Sequence, residues 1–306
     1  MERKTVVAVD IGATHYRAGL VADDGSIVRL EVGDTPRVGE SGLAVTRAVG
    51  DAVEAVVGPA SPAAIGIASA GPLDCAAGLI VCSPNMAFPE VPLRGPLERR
   101  FGLPVLLLND CRAGALGERW QGAGQGVENL VYVTLSTGIG GGAVVNGRLL
   151  LGRSGNAGEV GHFFVDGGYG CVCGCGHPGH WEAYASGTGM PRFFAAWLEG
   201  QGAAPSFDAA TSVGILGAAE RGDPLALSFM DALGRVNARA LSDIVAAYEP
   251  EVVVLDGPLA QHHGDLLIRS FLPHLDRYLP LPDFAVSHLG GRAPLLGAAA
   301  YVLGIF

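Results

Sequence analysis

The chain has 306 residues, 49% of them hydrophobic, with 47 Gly and 19 Pro, so two lobes around a cleft are the first expectation. Glu2, Arg3 and Lys4 give way to a short apolar stretch and then Asp10, too little for a signal peptide, and no run approaches the roughly 18 apolar residues of a membrane span. With a net charge of −10 and no basic cluster, the chain is expected to work in the cytoplasm without nucleic-acid or membrane partners.

The run at 5–9 reads as a buried strand ending at Asp10, followed by the turn I-G-A-T, a strand from Arg17 to Ala22, an Asp24-Gly25 turn and a strand from Ile27 to Leu30. Leu43 to Val57 has helical spacing, and Ala64 to Ala68 and Val105 to Leu108 read as strands. A second meander follows: Leu130 to Leu135, the turn S-T-G-I-G-G-G at 136–142, Ala143 to Val145, the Asn146-Gly147 hairpin signal, and Arg148 to Leu151. The chain then turns helical from Pro224 to Tyr248, extends from Val252 to Leu255, and reads as helix again from Gly264 to Leu279 and from Pro294 onward. The two related units predict two lobes, each with one glycine-rich hairpin turn. The nine residues before the first turn leave no room for a helix-turn-helix.

Lys4 is the only lysine, which excludes a P-loop and Schiff-base chemistry. Phosphate must then be held by backbone amides, arginine or metal. A glycine turn between strands brings amides close to phosphate oxygens, and Asp10, at the end of its strand, is placed to hold a hydrated Mg²⁺ beside them. One such turn usually only reverses the chain; a second one in an equivalent meander strengthens the phosphate reading.

Asn109 and Asp110 stand where a buried strand meets the helix C-R-A-G-A-L-G-E-R-W. They read either as a helix N-cap or as a general base at the mouth of a cleft, carried on a rigid strand. The segments G-N-A-G-E-V-G-H at 155–162 and C-V-C-G-C-G-H-P-G-H-W-E at 171–182 supply thiolates and imidazoles for a tetrahedral Zn²⁺. The most economical set is His162, Cys173, Cys175 and His180, with Cys171 and His177 in reserve. Four protein ligands make the site structural, bracing the loop that carries Glu159 and Glu182, whose carboxylates are suited to accepting hydrogen bonds from sugar hydroxyls.

Taken together these motifs resemble the ROK family of sugar kinases, repressors and open reading frames, and within it the glucokinases. The similarity runs along most of the chain: V-D-I-G-A-T-H-Y-R-A-G, S-A-G-P-L-D at 69–74, S-P-N at 83–85, L-L-N-D-C-R-A-G-A-L-G-E at 107–118, the second glycine turn, both knot segments, and A-P-L-L-G-A-A-A at 293–300. The resemblance implies an α/β, actin-like ATPase (ribonuclease H-like) fold with two lobes, a small lobe of residues 1–108 completed by the terminal helix at 291–306 and a larger lobe of residues 109–290 that holds the zinc site. It implies phosphorylation of the 6-hydroxyl of glucose by Mg²⁺-ATP with Asp110 as base. The sugar would be held by Asn109, Asp110, Glu159, His162 and Glu182, with Gly71 and Asn85 as further pocket members. The nucleotide would lie on Asp10, Gly12, Ala13, Thr14 and His15, on Thr137, Gly138 and Gly140, and on Gly257 beside the adenosine. A homodimer or higher oligomer is usual for similar proteins.

Three positions depart from the family pattern: His180 stands for a third cysteine, Gly12-Ala13-Thr14-His15 for G-G-T-K, and Asp256-Gly257-Pro258 for a glycine run. The lost lysine leaves Arg17 or a protonated His15 as the local cation. A kinase for mannose or an N-acylated hexosamine, and a sugar-sensing regulator without catalysis, are the other readings; the acidic charge and the presence of Asp110 weigh against the regulator.

Overall fold

The computed structural model describes residues 4–83 and 86–306; Asn85 of the expected sugar pocket lies outside the described residues. By internal contacts the chain forms two compact units, one of Met1–Glu128, Gly142–Gly158 and Leu289–Phe306, the other of Asn129–Gly141 and Glu159–His288.

In the first unit, β1 (Thr5–Ile11), β2 (His15–Ala22) and β3 (Ile27–Asp34) form the meander, followed by α1 (Leu43–Val57) and β4 (Ile65–Ser69). A small sheet of β5 (Leu73–Asp74), β6 (Leu79–Val81) and β7 (Glu90–Pro92) leads to α2 (Arg94–Phe101), β8 (Val105–Asn109) and α3 (Asp110–Gln121). The main sheet has the order β3-β2-β1-β4-β8, antiparallel across the meander and parallel from β1 to β4 to β8. Strand alternation sorts its two faces. Val7, Val9, Ile11, Ile65 and Ile67 share a core with Val45, Val49 and Val53 of α1. On the opposite face Gly66 leaves room for the chain's last helix, whose Ala298 carbonyl occupies the place a Cβ would take.

The second unit holds β9 (Leu130–Leu135) and the first part of β10 (Ile139–Val145), which passes from one unit to the other between Gly141 and Gly142 and continues to β11 (Arg148–Leu149). After the cysteine-rich segment come α4 (Glu182–Ala185), α5 (Gly189–Leu198), α6 (Ser212–Glu220), α7 (Pro224–Tyr248), β12 (Val252–Asp256), α8 (Gly257–Phe271) and β13 (Asp283–Val286); α9 (Ala293–Leu303) returns to the first unit. β12 runs parallel to β9 and to β13. α7 starts at a strong signal: Asp223 accepts hydrogen bonds from the amides of Leu225 and Ala226, both at 3.0 Å, and Pro224 occupies the first turn. Its inner face packs Phe229 against Phe193, Phe194 and Trp197 of α5.

α8 begins earlier than its periodicity predicts, at Gly257 rather than Gly264, because Asp256 caps it and Pro258 pre-sets its first turn. Non-helical dihedrals at His263 break the apolar stripe, so only the part beyond the kink reads as helix from sequence. α8 ends at Phe271, with a 3-10 turn at Leu272–His274 where Gly264 to Leu279 reads as one helix. Among the described residues no helix is long and apolar enough to cross a membrane.

Candidate functional site

Strand register brings the candidate residues of the first unit to one edge of its sheet. Ile11 is level with Ser69 and Ser69 with Asn109, so Asp10, the segment reaching Gly71, and the Asn109-Asp110 pair all lie at the carboxyl ends of parallel strands. Open α/β sheets bind their ligands at such ends. Gly71 lies against Asn109, whose Nδ2 would be 3.4 Å from a Cβ there.

At the strand-to-helix junction the N-cap is Asn109: its Oδ1 accepts from the amides of Cys111 at 3.0 Å and Arg112 at 3.4 Å. Asp110 is the first helical residue, and its own Oδ1 accepts from Cys111 at 2.8 Å. Asn109 is buried and Asp110 half-buried, so the cap faces inward while the carboxylate keeps access to solvent at the positive end of α3.

The first turn is closed by a hydrogen bond from the Gly12 amide to the His15 carbonyl at 2.9 Å, and Thr35 Oγ1 donates to the Gly12 carbonyl at 2.8 Å. The amides of Ala13 and Thr14 have no acceptor among the described residues. The two side chains expected to replace the family lysine both lie against carboxylates: Arg17 is 3.4 Å from Asp10 and also donates to the Gly291 carbonyl, and His15 Nδ1 is 2.9 Å from Asp34.

In the second unit the turn Ser136-Thr137-Gly138 joins β9 to β10, and the Ser136 amide donates to the Gly138 carbonyl at 2.9 Å. Its carbonyls are taken by the segment after the cysteine knot. Gly187 N–H donates to Ser136 at 2.7 Å, and Thr188 donates to Thr137 from its amide at 3.3 Å and from Oγ1 at 2.9 Å. The amides of Thr137 and Gly138 have no acceptor among the described residues. Gly140 lies within β10, past the turn. Gly257 adopts φ +85°, follows the end of β12, and sits where a Cβ would meet the Leu135 carbonyl at 2.6 Å.

The knot itself is compact. Donor atoms of His162, Cys173, Cys175 and His180 all lie within 4.8 Å of one another. The two Nδ1 atoms are 3.2 Å apart, Cys175 Sγ is 3.3 Å from His180 Nδ1, and Cys173 Sγ is 3.8 Å from His162 Nδ1. Zinc–nitrogen bonds of about 2.0–2.1 Å and zinc–sulfur bonds of about 2.3 Å place tetrahedral ligands about 3.3–3.8 Å from each other, so this donor set fits such an ion. Burial, followed by the neighbouring Cys175 and Glu182, pushes the Cys173 thiol up to about 12. Burial and the nearby His162 and His177 lower His180 toward its neutral, ligating form. Cys171 is buried beside Tyr184, and His177 is exposed; neither belongs to the set of four.

The knot is seated on α7. Trp181, fully enclosed, donates from Nε1 to Asn237 at 2.8 Å. Arg239 donates to the Val165 carbonyl at 2.7 Å and to Asp166 at 2.8 Å. Burial alone would raise Asp166, but Arg239 and the amides of Tyr169 and Gly168 outweigh it and hold its carboxyl below the usual range. Glu182 lies half-buried beside the knot, Oε1 3.4 Å from Cys173 Sγ and Oε2 accepting the Ile139 amide at 2.9 Å. Glu159 is exposed at the entrance to the 3-10 turn that presents His162. Thr188, Asp166, Asn237 and Arg239 were not singled out from sequence; the local signal for the first was its place in A-S-G-T-G directly after the knot, and the partners on α7 are too distant in sequence to leave one.

A protein-family model described as the ROK family matches residues 6–305. A glucokinase from Aeropyrum pernix is 38% identical over 308 residues, spanning 96% of this chain and 95% of the relative. A ROK hexokinase from Thermus thermophilus superposes with a TM-score of 0.83 at 34% identity, over 98% of this chain and 99% of the other. A ROK family glucokinase from Streptomyces griseus, solved in complex with glucose and AMPPNP, gives a TM-score of 0.78 at 33% identity over 97% and 98%.

Proposed function

The chain belongs to the ROK family and has its actin-like ATPase fold, and on that premise we propose that it is an ATP-dependent glucokinase in which Asp110 is the general base. The Asp110 carboxylate takes the proton of the glucose 6-hydroxyl as that oxygen bonds to the γ-phosphorus; the bond from the γ-phosphorus to the bridging oxygen breaks, and ADP leaves with the electron pair. The observation that carries this role is that Asn109 holds the N-cap position of α3. The helix start therefore has a cap of its own beside a half-buried carboxylate at the first residue after a rigid strand.

The remaining roles follow from chemistry. Asn109, Glu159, His162 and Glu182 present amide, carboxylate and imidazole groups suited to a ring of hydroxyls, with Gly71 and Asn85 completing the sugar's surroundings. A site that holds hydroxyls with buried polar groups rejects analogues lacking them. The amides of Ala13, Thr14, Thr137 and Gly138, which have no acceptor among the described residues, are suited to phosphate oxygens, and Gly257 to the adenosine side of the nucleotide. Asp10 would hold the Mg²⁺ that travels with ATP, which neutralises charge on the phosphates. Binding Mg²⁺ there requires Arg17 to share or yield Asp10. His162, Cys173, Cys175 and His180 would hold a structural Zn²⁺ that fixes the loop and supplies no step of the reaction.

ADP formation with glucose, mannose, fructose, glucosamine and N-acetylated hexosamines tests the assignment. The expected result is sugar-dependent turnover highest with glucose and a 6-phosphate product. Sugar binding without turnover, or a clear preference for an N-acylated hexosamine, overturns it.

A further inference from the structure

Glu182 does more in this structure than border the knot. Its Oε2 accepts the Ile139 amide at 2.9 Å, immediately after the turn whose Thr137 and Gly138 amides have no acceptor among the described residues. Gly138 is absent from the residues with positive φ, so its lack of a side chain is not a matter of backbone dihedral. A Cβ at 138 would run into Glu182 Oε2, one at 187 would come within 2.9 Å of the Ser136 carbonyl, and one at 161 would strike the Ile139 carbonyl. Three glycines thus clear the ground on which the knot segments meet one short turn.

Resting on the kinase reading, we propose that Glu182 is a positioning residue for the phosphoryl donor: it locks the Ser136–Ile139 turn in its phosphate-binding form, in addition to any contact with sugar. A carboxylate on the Ile139 amide is a charge-assisted bond, stronger than a neutral one. It takes up the amide next to the phosphate-facing pair and fixes the peptide plane from which Thr137 and Gly138 are aimed. Gly187 and Thr188 grip the turn's carbonyls from the same segment, so the turn is held on its donor and acceptor sides by residues 182–188. A residue that touched sugar alone would leave nucleotide binding in sugar-free protein unchanged.

The test measures the affinity of the full-length, metal-loaded protein for Mg²⁺-AMPPNP without sugar, by calorimetry, for the parent, Glu182→Ala, Glu182→Gln and Thr188→Val. Loss of a bond to an ionised group is expected to weaken nucleotide binding about tenfold or more in Glu182→Ala. Glu182→Gln, which keeps an oxygen for the Ile139 amide, is expected to lose less than Glu182→Ala, about fivefold, because a neutral bond replaces about half of the charged one. Thr188→Val removes only the side-chain bond to Thr137 and is expected to weaken binding by about threefold to tenfold. Parent-like affinity in Glu182→Ala overturns the proposal. If that variant does not fold, parent-like affinity in Thr188→Val combined with equal loss in Glu182→Gln and the sugar-binding variant Glu159→Gln overturns it instead. A parent that binds nucleotide but does not phosphorylate glucose, with Glu182→Ala still weakened, would refute the kinase assignment and leave this role of Glu182 standing.

Discussion

Replacing Asp110 by Asn separates a catalytic carboxylate from a helix-capping one, because the two roles differ in size by orders of magnitude. Asn at 110 retains an oxygen that can accept the Cys111 amide, now bonded at 2.8 Å, and leaves Asn109 on the amides of Cys111 and Arg112. What the helix loses is one negative charge at its N-terminus, worth about 0.3–1 kcal/mol at a partly exposed position. At about 2–4 °C per kcal/mol for chains somewhat smaller than this one, the melting temperature should fall by no more than a few degrees. Loss of a general base, by contrast, lowers kcat by about 10²–10⁴. The assay is coupled ADP release at saturating glucose and ATP, with KM for both substrates and a melting curve on the same preparation. The expected pattern is a kcat lower by at least two orders of magnitude, KM values within a few-fold, and a nearly parental melting curve. Asn109→Ala should do the reverse to stability, costing about 1 kcal/mol or more through the lost cap. A D110N variant that keeps more than a tenth of the parental kcat refutes Asp110 as base.

Treatment with a strong chelator should release one zinc per chain by mass spectrometry and lower the melting temperature by several degrees, since the four clustered donors would lose the ion proposed for them; protein that is stable and metal-free as purified contradicts the knot reading. Gly297→Val should destabilise the first unit by about 3 kcal/mol or more, because the Ala113 carbonyl of α3 fills the position of its Cβ and the α3–α9 contact cannot close around a branched side chain. Asp166→Asn should lower the melting temperature at pH 7 and much less at pH 3. A carboxyl held below its usual range stabilises the fold fully above the unfolded-state value of about 3.9, and that contribution is lost as pH falls through the lower folded value. An equal penalty at both pH values would show that the Arg239 contact does not act through the ionised carboxylate.

Where local pattern and tertiary demand agree, the fold was legible. Leu43–Val57, Leu130–Leu135 and Pro224–Tyr248 are the elements expected to the residue, since an uninterrupted period and a capping or turn signal bound each. The hairpin signals Asp24-Gly25 and Asn146-Gly147 turn the chain as their positive φ values require, +85° at Gly25 and +51° and +73° at the second pair. Glycine is where the reading ran out, because it serves turns and close packing alike. The run G-I-G-G-G reads as one long phosphate turn, yet the turn is complete by Gly138, and Gly142 lies in β10 where the Cys111 carbonyl leaves no room for a side chain. The spacing of Cys173, Cys175, His162 and His180 anticipated that their donor atoms cluster, but not where the cluster is seated, since Asn237 and Arg239 are 56 and 73 residues from their partners Trp181 and Asp166. The Asn109-Asp110 pair was ambiguous between cap and base because both uses favour the same residue types at a helix start; the Oδ1 bonds of Asn109 show which of the two is the N-cap.

The most direct measurement is a crystal structure of this chain with glucose and a non-hydrolysable ATP analogue. The expected result has the glucose 6-hydroxyl hydrogen-bonded to the Asp110 carboxylate, with phosphate oxygens on the amides of Thr137 and Gly138. A sugar whose 6-hydroxyl is out of reach of Asp110, or phosphates bound away from that turn, would contradict the proposed chemistry.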